Sequence, residues 1–474
     1  MAPPLPGLSP RVQARPTGVH HLMEHPKALA GVHRLPRARV VSSLVVLLSF
    51  VLVAAFFASR HLHFAIRASL PAPADVHSSI LPRLFARHAF GRVPAPAPAP
   101  DPAPKSAVGS ADGGSVSLLD GGEVSACDIF DGEWVSNDRV PWYRPGSCPF
   151  AEEAFDCAGN GRPDFGYMKF RWKPRRCNLP RMDGKGFLEM LKGKRLVFVG
   201  DSLNRNMWES LACILRESAT NKSQVFEISG RQDFRTEGFY SIKYADYNCT
   251  VEFMQTPFLV QEWEAVSYAT GGRKETLRVD LMHDLSTKYR DADILVFNTG
   301  HWWTHPRTSE GKDFYQEGEH VYSQLSAEDA YSKALRTWAK WVDANVDPNR
   351  TVVFFRGYSS SHYSGGQWNS GGNCDGEMLP ITDDAHLEDY PEIMNIFETV
   401  LEGMKTPVHY LNITKMAGYR KDAHPSAFRM RGKGLPPDEA QDCSHWCLPG
   451  VPDYWNELLY AMLLRDAYPL RQSG

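Results

Sequence analysis

Residues 191–470 predict an α/β domain, a mostly parallel sheet with helices on both faces. Three observations predict it. Short runs of β-branched and aromatic residues recur between turn signals: RLVFV (195–199), DILVFN (293–298), TVVFF (351–355) and PVHYL (407–411). Each is mostly apolar rather than alternating, which fits a buried strand. Helical patterns at 204–217, 327–345, 388–404 and 454–465 separate them, and strands alternating with helices give a parallel sheet in a layered domain. The chain has 474 residues, 43% of them hydrophobic, enough for a sizeable core.

The elements before that domain are of other kinds. Residues 1–39 read as a cytosolic tail and 40–59 as a membrane anchor. The anchor, VVSSLVVLLSFVLVAAFFAS, is uncharged and has the length that crosses roughly 30 Å of hydrocarbon. Arg34, Arg37 and Arg39 precede it, and Arg60 and Arg67 follow. The heavier positive load lies on the N-terminal side, which predicts a type II topology with all later residues in a lumen. A cleaved signal peptide has a shorter apolar core ending at a small-residue cleavage site. Residues 60–124 read as a Pro/Ala-rich stem, with VPAPAPAPDPAP (93–104) as a polyproline II spacer. Residues 125–190 read as an irregular, cysteine-rich subdomain holding Cys127, Cys148, Cys157 and Cys177, rich in Gly, Pro and Trp. Nine cysteines with no Cys-x-x-Cys pair argue for lumenal disulfides rather than a zinc ribbon, and an odd count leaves one thiol over. Four Asn-x-Ser/Thr acceptors, Asn221, Asn248, Asn349 and Asn412, lie on the lumenal side. A net charge of -3 gives no global basic field for nucleic acid, and no metal cluster is evident.

Within the domain, KRLVFVGDSLNRNMWESLACIL (194–215) runs from an apolar strand through Gly200-Asp201-Ser202 into an amphipathic helix carrying Trp208, Leu211, Ala212 and Leu215. Ser202 therefore lies past the carboxyl end of a strand, where open α/β sheets bind ligands, beside a helix N-terminus that favours a developing oxyanion. The same residues would also serve as a plain helix cap. A serine nucleophile needs a base. Two histidines near the C-terminus have a carboxylate close by: His445 with Asp442 in DCSHWC, and His424 with Asp422 in RKDAHPS. The three-residue gap of the first lets both side chains meet in one turn, and Cys443 and Cys447 could fix that loop. In FNTGHWW (297–303), Asn298 or the Gly300 backbone could donate to an oxyanion, and Trp302 and Trp303 could stack on sugar rings. Gly230 in SGRQDF (229–234) is a second candidate donor. The 326–345 stretch opens with Ser326 capping at Asp329 and carries Tyr331, Leu335, Trp338 and Val342 on one helical face. Residues 238–263 read as extra strands, a possible hairpin, and 356–376 as a long mobile loop bordering the acceptor cleft.

Together these motifs resemble the plant trichome birefringence-like family of polysaccharide O-acetyltransferases over roughly residues 125–470. The resemblance rests on Cys127-Asp-Ile-Phe-Asp-Gly-Glu-Trp-Val, CNLPRMDG, VFVGDSLNRN, FNTGHWW, KMAGYRKDAHPS and DCSHWCLPGVPDYWNE. It implies an SGNH-hydrolase-like three-layer α/β/α sandwich behind a cysteine-rich N-terminal subdomain, and a triad of Ser202, His445 and Asp442. It implies Asn298, then Gly230, as oxyanion donors beside the Ser202 amide. It also implies eight disulfide cysteines, Cys127, Cys148, Cys157, Cys177, Cys213, Cys374, Cys443 and Cys447, with Cys249 left over. The expected chemistry moves acetyl from a donor, acetyl-CoA or a derivative, consumed as co-substrate with no bound cofactor, to a sugar hydroxyl in the Golgi. Xylan is the expected acceptor, with pectin and mannan as alternatives. The competing functions are a polysaccharide O-acetyl esterase with the same triad and a non-catalytic wall-glycan binder.

Overall fold

The computed structural model describes residues 127–230, 238–266, 273–430 and 441–467. The expected tail, anchor and stem lie outside these residues. Among the described residues no helix is long and apolar enough to cross a membrane.

Thirteen strands are described: β1 (Gly132–Ser136), β2 (Phe170–Pro174), β3 (Arg195–Gly200), β4 (Val225–Glu227), β5 (Phe239–Tyr244), β6 (Cys249–Gln255) and β7 (Val260–Val266) come first. They are followed by β8 (Arg273–Met282), β9 (Ile294–Phe297), β10 (Tyr315–Glu317), β11 (His320–Val321), β12 (Val352–Arg356) and β13 (Val408–Leu411). The central sheet has the order β13-β12-β9-β3-β6-β5-β4. Its first five strands are mutually parallel, and β5 and β4 extend it antiparallel. All four apolar runs named from the sequence are in it. The expected hairpin is β5 and β6, and β6 goes on to pair with β3.

The middle of the sheet is buried on both faces because its strands β3, β9 and β12 are apolar along most of their length. Leu196 and Phe198 of β3 face one core, shared with the Ser202–Ser218 helix and the Val451–Met462 helix. Val197 and Val199 face a second core, shared with the Ala327–Asn345 and Glu392–Leu401 helices. This is the expected three-layer α/β/α arrangement. Trp208, Leu211, Ala212 and Leu215 are all buried. Burying a large apolar side chain stabilises by about 1.5–3 kcal/mol, so this stripe pins the Ser202–Ser218 helix to the sheet. Ser326 caps its helix by accepting from the Asp329 amide at 3.0 Å, and Tyr331, Leu335, Trp338 and Val342 point inward.

Two expectations need correction. The helix expected over 388–404 is only Glu392–Leu401, because Pro391 holds an extended conformation at its N-cap. A second sheet, β11-β10-β8-β7, stands apart from the first and was not foreseen. Its core side chains Leu277 and Val279 join those of the Ala327–Asn345 helix.

The region 127–190 is not a free-standing unit. Ile129, Tyr143, Phe155 and Trp172 enter the same core as Leu196 and Phe198. Disulfides Cys148–Cys213 and Cys157–Cys447 tie it to the α/β layers, while Cys127–Cys177 closes it on itself and Cys374–Cys443 ties two later loops. All eight expected cysteines are paired. Cys249 is left as a buried thiol, which burial pushes up to about 12.

Candidate active site

β3, β9 and β12 end together, and the segments leaving them form one edge. The chain turns out of β3 at Gly200, whose φ is +153° and where a Cβ would collide with the side-chain oxygen and the carbonyl of Asn298. Only glycine fits there. Asp201 follows as N-cap, its carboxylate accepting from the Leu203 amide at 2.9 Å. Ser202 is the first helical residue, so its own N–H has no acceptor within the helix.

The base arrives from the far end of the chain. His445 Nε2 lies 2.8 Å from Ser202 Oγ. His445 Nδ1 lies 2.9 Å and 3.1 Å from the two carboxylate oxygens of Asp442. A carboxylate only accepts, so Nδ1 carries the proton and Nε2 is left to accept from the serine hydroxyl. Burial alone would raise the Asp442 pKa, but electrostatic attraction to the His445 ring and the hydrogen bonds from His445 and Ser444 outweigh it and hold the carboxyl well below its usual range. The loop between them is pinned on several sides. Asn206, one turn into the nucleophile's helix, accepts from the Trp446 N–H at 2.8 Å and donates to its carbonyl at 3.1 Å. Disulfides at Cys443 and Cys447 bracket the histidine, and Phe155 packs against its ring with centroids 5.2 Å apart.

The rival histidine has another place. His424 Nδ1 lies 2.6 Å from the His445 carbonyl and its Nε2 2.7 Å from His362 Nδ1. Both nitrogens are occupied, and burial, together with His362, holds its pKa well below the usual value. Asp422 pairs with Arg420 instead. His424 therefore supports the base loop from beneath.

The expected oxyanion donors already have hydrogen-bond partners of their own. The Asn298 side-chain N–H₂ donates to Asp201 Oδ1 at 2.7 Å, and its oxygen accepts from the Asp201 amide at 3.1 Å. Both ends are used because Asp201 is a fully buried charge and needs partners. Burial would raise the Asp201 pKa, but His301, Arg356 and Asn298 together pull it well below the usual range. The Gly230 amide is likewise occupied, donating to Glu227 at 2.9 Å. Trp303 is core: it is 4% exposed, donates to Thr299, and packs against Phe258 and Tyr331. Trp302 does line the cleft.

That cleft, of about 480 Å³, opens over Ser202 and His445. Its walls include Tyr363, Gln367, Trp368 and Asn369 from the 356–376 loop, which the sequence placed at the acceptor site, and Trp302, Arg307, Arg429 and Gln441. The sequence did not single out His301, Arg307, Trp368 or Arg429. His301 was the one within reach, since it stands inside FNTGHWW; it pairs with Asp201 at 2.9 Å and stacks on Tyr358. Among the described residues, no group of three or more His, Cys, Asp or Glu side chains is placed to hold a metal ion. The four glycosylation candidates fall at turns or element ends, with Asn221, Asn248 and Asn349 exposed and Asn412 half-buried.

Residues 179–462 match the PC-Esterase family, described as a GDSL/SGNH-like acyl-esterase family found in Pmr5 and Cas1p. This chain belongs to that family. Residues 125–178 match the PMR5 N-terminal domain. Relatives in Arabidopsis thaliana include the protein trichome birefringence, 56% identical over 351 residues covering 73% of this chain and 58% of the relative. Trichome birefringence-like 1 is 57% identical over 345 residues, 72% of this chain and 62% of the relative, so the chain spans about three fifths of the length of each. Trichome birefringence-like 4 is 55% identical over 72% of this chain and 76% of itself. The chain is thus a trichome birefringence-like member of the PC-Esterase family.

Proposed function

We propose that this chain is a polysaccharide O-acetyltransferase that carries acetyl on Ser202. The observation that supports it is the unbroken hydrogen-bonded series from Asp442 through His445 to Ser202 Oγ, opening onto a cleft. In the first step His445 Nε2 takes the Ser202 proton while Oγ attacks the acetyl carbonyl of the donor. The donor's leaving group departs, taking the proton from His445, and acetyl-serine remains. In the second step His445 deprotonates a sugar hydroxyl as its oxygen attacks that ester; the bond to Ser202 Oγ breaks, and His445 gives the proton to Oγ. The Ser202 amide, at the N-terminus of its helix, faces the developing oxyanion. We take xylan as the acceptor, from the family resemblance, with pectin and mannan as alternatives. We assign the chain to the Golgi membrane as a single-pass type II protein, on the uncharged 40–59 run and the positive residues before it.

One observation favours hydrolysis instead: the family is described as acyl-esterases, and the same three residues serve water as well as sugar. Mass spectrometry of the full-length chain incubated with acetyl-CoA alone should find acetyl on the peptide containing Ser202. Addition of xylo-oligosaccharide should move it to sugar. Release to water with no acetylated sugar from xylan, pectin or mannan oligomers would make the chain an esterase. No acetyl on Ser202 under either condition would overturn the nucleophile assignment.

A further inference from the structure

The cleft over Ser202 is cationic in a way acetyl transfer to a neutral sugar does not require. The Arg307 guanidinium lies 4.7 Å from the ring centre of Trp302 and 4.3 Å from that of Trp368. Such contacts to two indoles hold a guanidinium in place without neutralising it. They also cover part of Trp302, so less of that ring is left for a sugar than the sequence suggested. A second guanidinium, Arg429, lines the same cleft, and its Nε is buried with no hydrogen-bond partner among the described residues. Among the described lining residues the one carboxylate is Asp442, which is spent on His445.

Arg307 is exposed at the cleft and Arg429 half-buried, and among the described residues lining the cleft no free carboxylate answers either charge. A site of this kind is complementary to an anion. The guanidinium is a planar fork of N–H donors that matches a carboxylate two bonds at a time.

Resting on the acetyl-transfer function above, we propose that Arg307 and Arg429 bind the carboxylate of a uronic-acid residue in the acceptor glycan. The acceptor is then an acidic polysaccharide, with its uronate either in the backbone or as a branch near the hydroxyl that attacks the acetyl-serine. Trp368 and Trp302 are positioning residues, holding Arg307 so that its N–H edge meets the glycan. An anionic acetyl donor carries phosphates that could use the same guanidiniums, and the test separates the two.

The measurement is calorimetric titration of the full-length chain carrying Ser202→Ala, so that nothing turns over. The probes are trigalacturonate and a xylotetraose with one glucuronosyl branch, each beside its twin in which the carboxyl is reduced to a neutral alcohol. At least one acid should bind about tenfold more tightly than its reduced twin, the scale of a hydrogen-bonded charge pair. Adding Arg307→Gln should bring that ratio close to one, and Arg429→Gln should lower it. Equal binding of both acids and their twins overturns the proposal. It leaves acetylation of Ser202 in the unsubstituted chain as a separate result, so the two failures are distinguishable. Weaker acetyl-CoA binding in Arg307→Gln, with the acid preference intact, would assign the guanidinium to donor phosphates and also overturn it. If Arg307→Gln does not fold, the acid-against-twin ratio with both arginines present decides alone.

Discussion

The two halves of the candidate triad are held by different kinds of structure. Ser202 is placed by regular secondary structure within a few residues of itself: β3 aims the chain, Gly200 turns it, Asp201 caps the helix. His445 stands in an irregular loop, and nearly everything that fixes it comes from elsewhere. Cys157 is 290 residues away in sequence from its partner Cys447, and Asn206 is 240 from Trp446. A nucleophile at a strand–helix junction is locally encoded; a base on a loop has to be imported by long-range bonds. The two segments should therefore respond differently to damage of comparable size.

The largest effect should come from the atoms both segments share. Ser202→Ala or His445→Ala should lower acetyl transfer by about 10⁶-fold, and Asp442→Asn by about 10⁴-fold, as in other triads whose members act as a unit. Single-turnover rates with acetyl-CoA would check it, and a loss below about tenfold for Ser202→Ala would remove it from the chemistry. Next in size is the imported restraint. Replacing both Cys157 and Cys447 by serine should cost about 2–5 kcal/mol of stability, read from the denaturant midpoint, and should lower kcat as well. The matched double replacement at Cys127 and Cys177, which closes 127–190 on itself, should cost stability while leaving kcat near its original value. Equal kcat losses in the two would mean that the base loop needs no covalent restraint of its own.

The same contrast sets how much could be read from the sequence. The parallel strands are mostly apolar because both faces are largely covered, so RLVFV, DILVFN, TVVFF and PVHYL stand out in the chain. The Ala327–Asn345 helix was legible to its ends because Ser326 caps it and its apolar face keeps the helical period. β8, RKETLRVDLM, was not, because charged residues alternate with apolar ones in a sheet exposed on one side. At the site, Asp442 and His445 were legible as a spacing, and their choice over Asp422 and His424 rested on family resemblance. What separates the two histidines is long-range: one meets Ser202, the other His362. The partner of Asn298 was missed for a related reason. Its motif gives its strand end but not that the neighbouring Asp201 would take both ends of its amide. Arg307 and Trp368 come from separate loops, and no local pattern announces that they touch.

A smaller perturbation sharpens the contrast within the nucleophile's own helix. Asn206→Ala removes the two bonds to Trp446 without touching Ser202, His445 or Asp442. It should cost about 1–3 kcal/mol of stability, because the Trp446 backbone is left buried and unpaired. It should also lower kcat by about tenfold with little change in the acceptor KM, since the imidazole is displaced and the cleft is not. A fall in stability with kcat intact would show that the disulfides alone position the base.

The smallest expected effect is a slope against pH, on the helix that follows the base loop. Glu457, on the Val451–Met462 helix, accepts from the Met182 amide at 3.0 Å and ties 127–190 to that helix. Burial raises its carboxyl to about 7, against about 4.3 in an unfolded chain. The folded state therefore holds this proton more tightly. Its contribution to stability is fully present below about pH 4.3 and is lost as pH rises through about 7. Asp453, one helical turn earlier and also raised by burial to about 7, adds to the slope in the same direction. Asp442, held low, acts oppositely: its contribution is present above about pH 3.9 and lost only as pH falls below it. Glu457→Gln should thus flatten the decline in melting temperature between pH 5 and 7 and leave the acid limb unchanged. An unchanged slope in the variant would mean that Glu457 titrates as an ordinary carboxylate, and that the contact holding 127–190 against the base-side helix is far wetter than its burial implies.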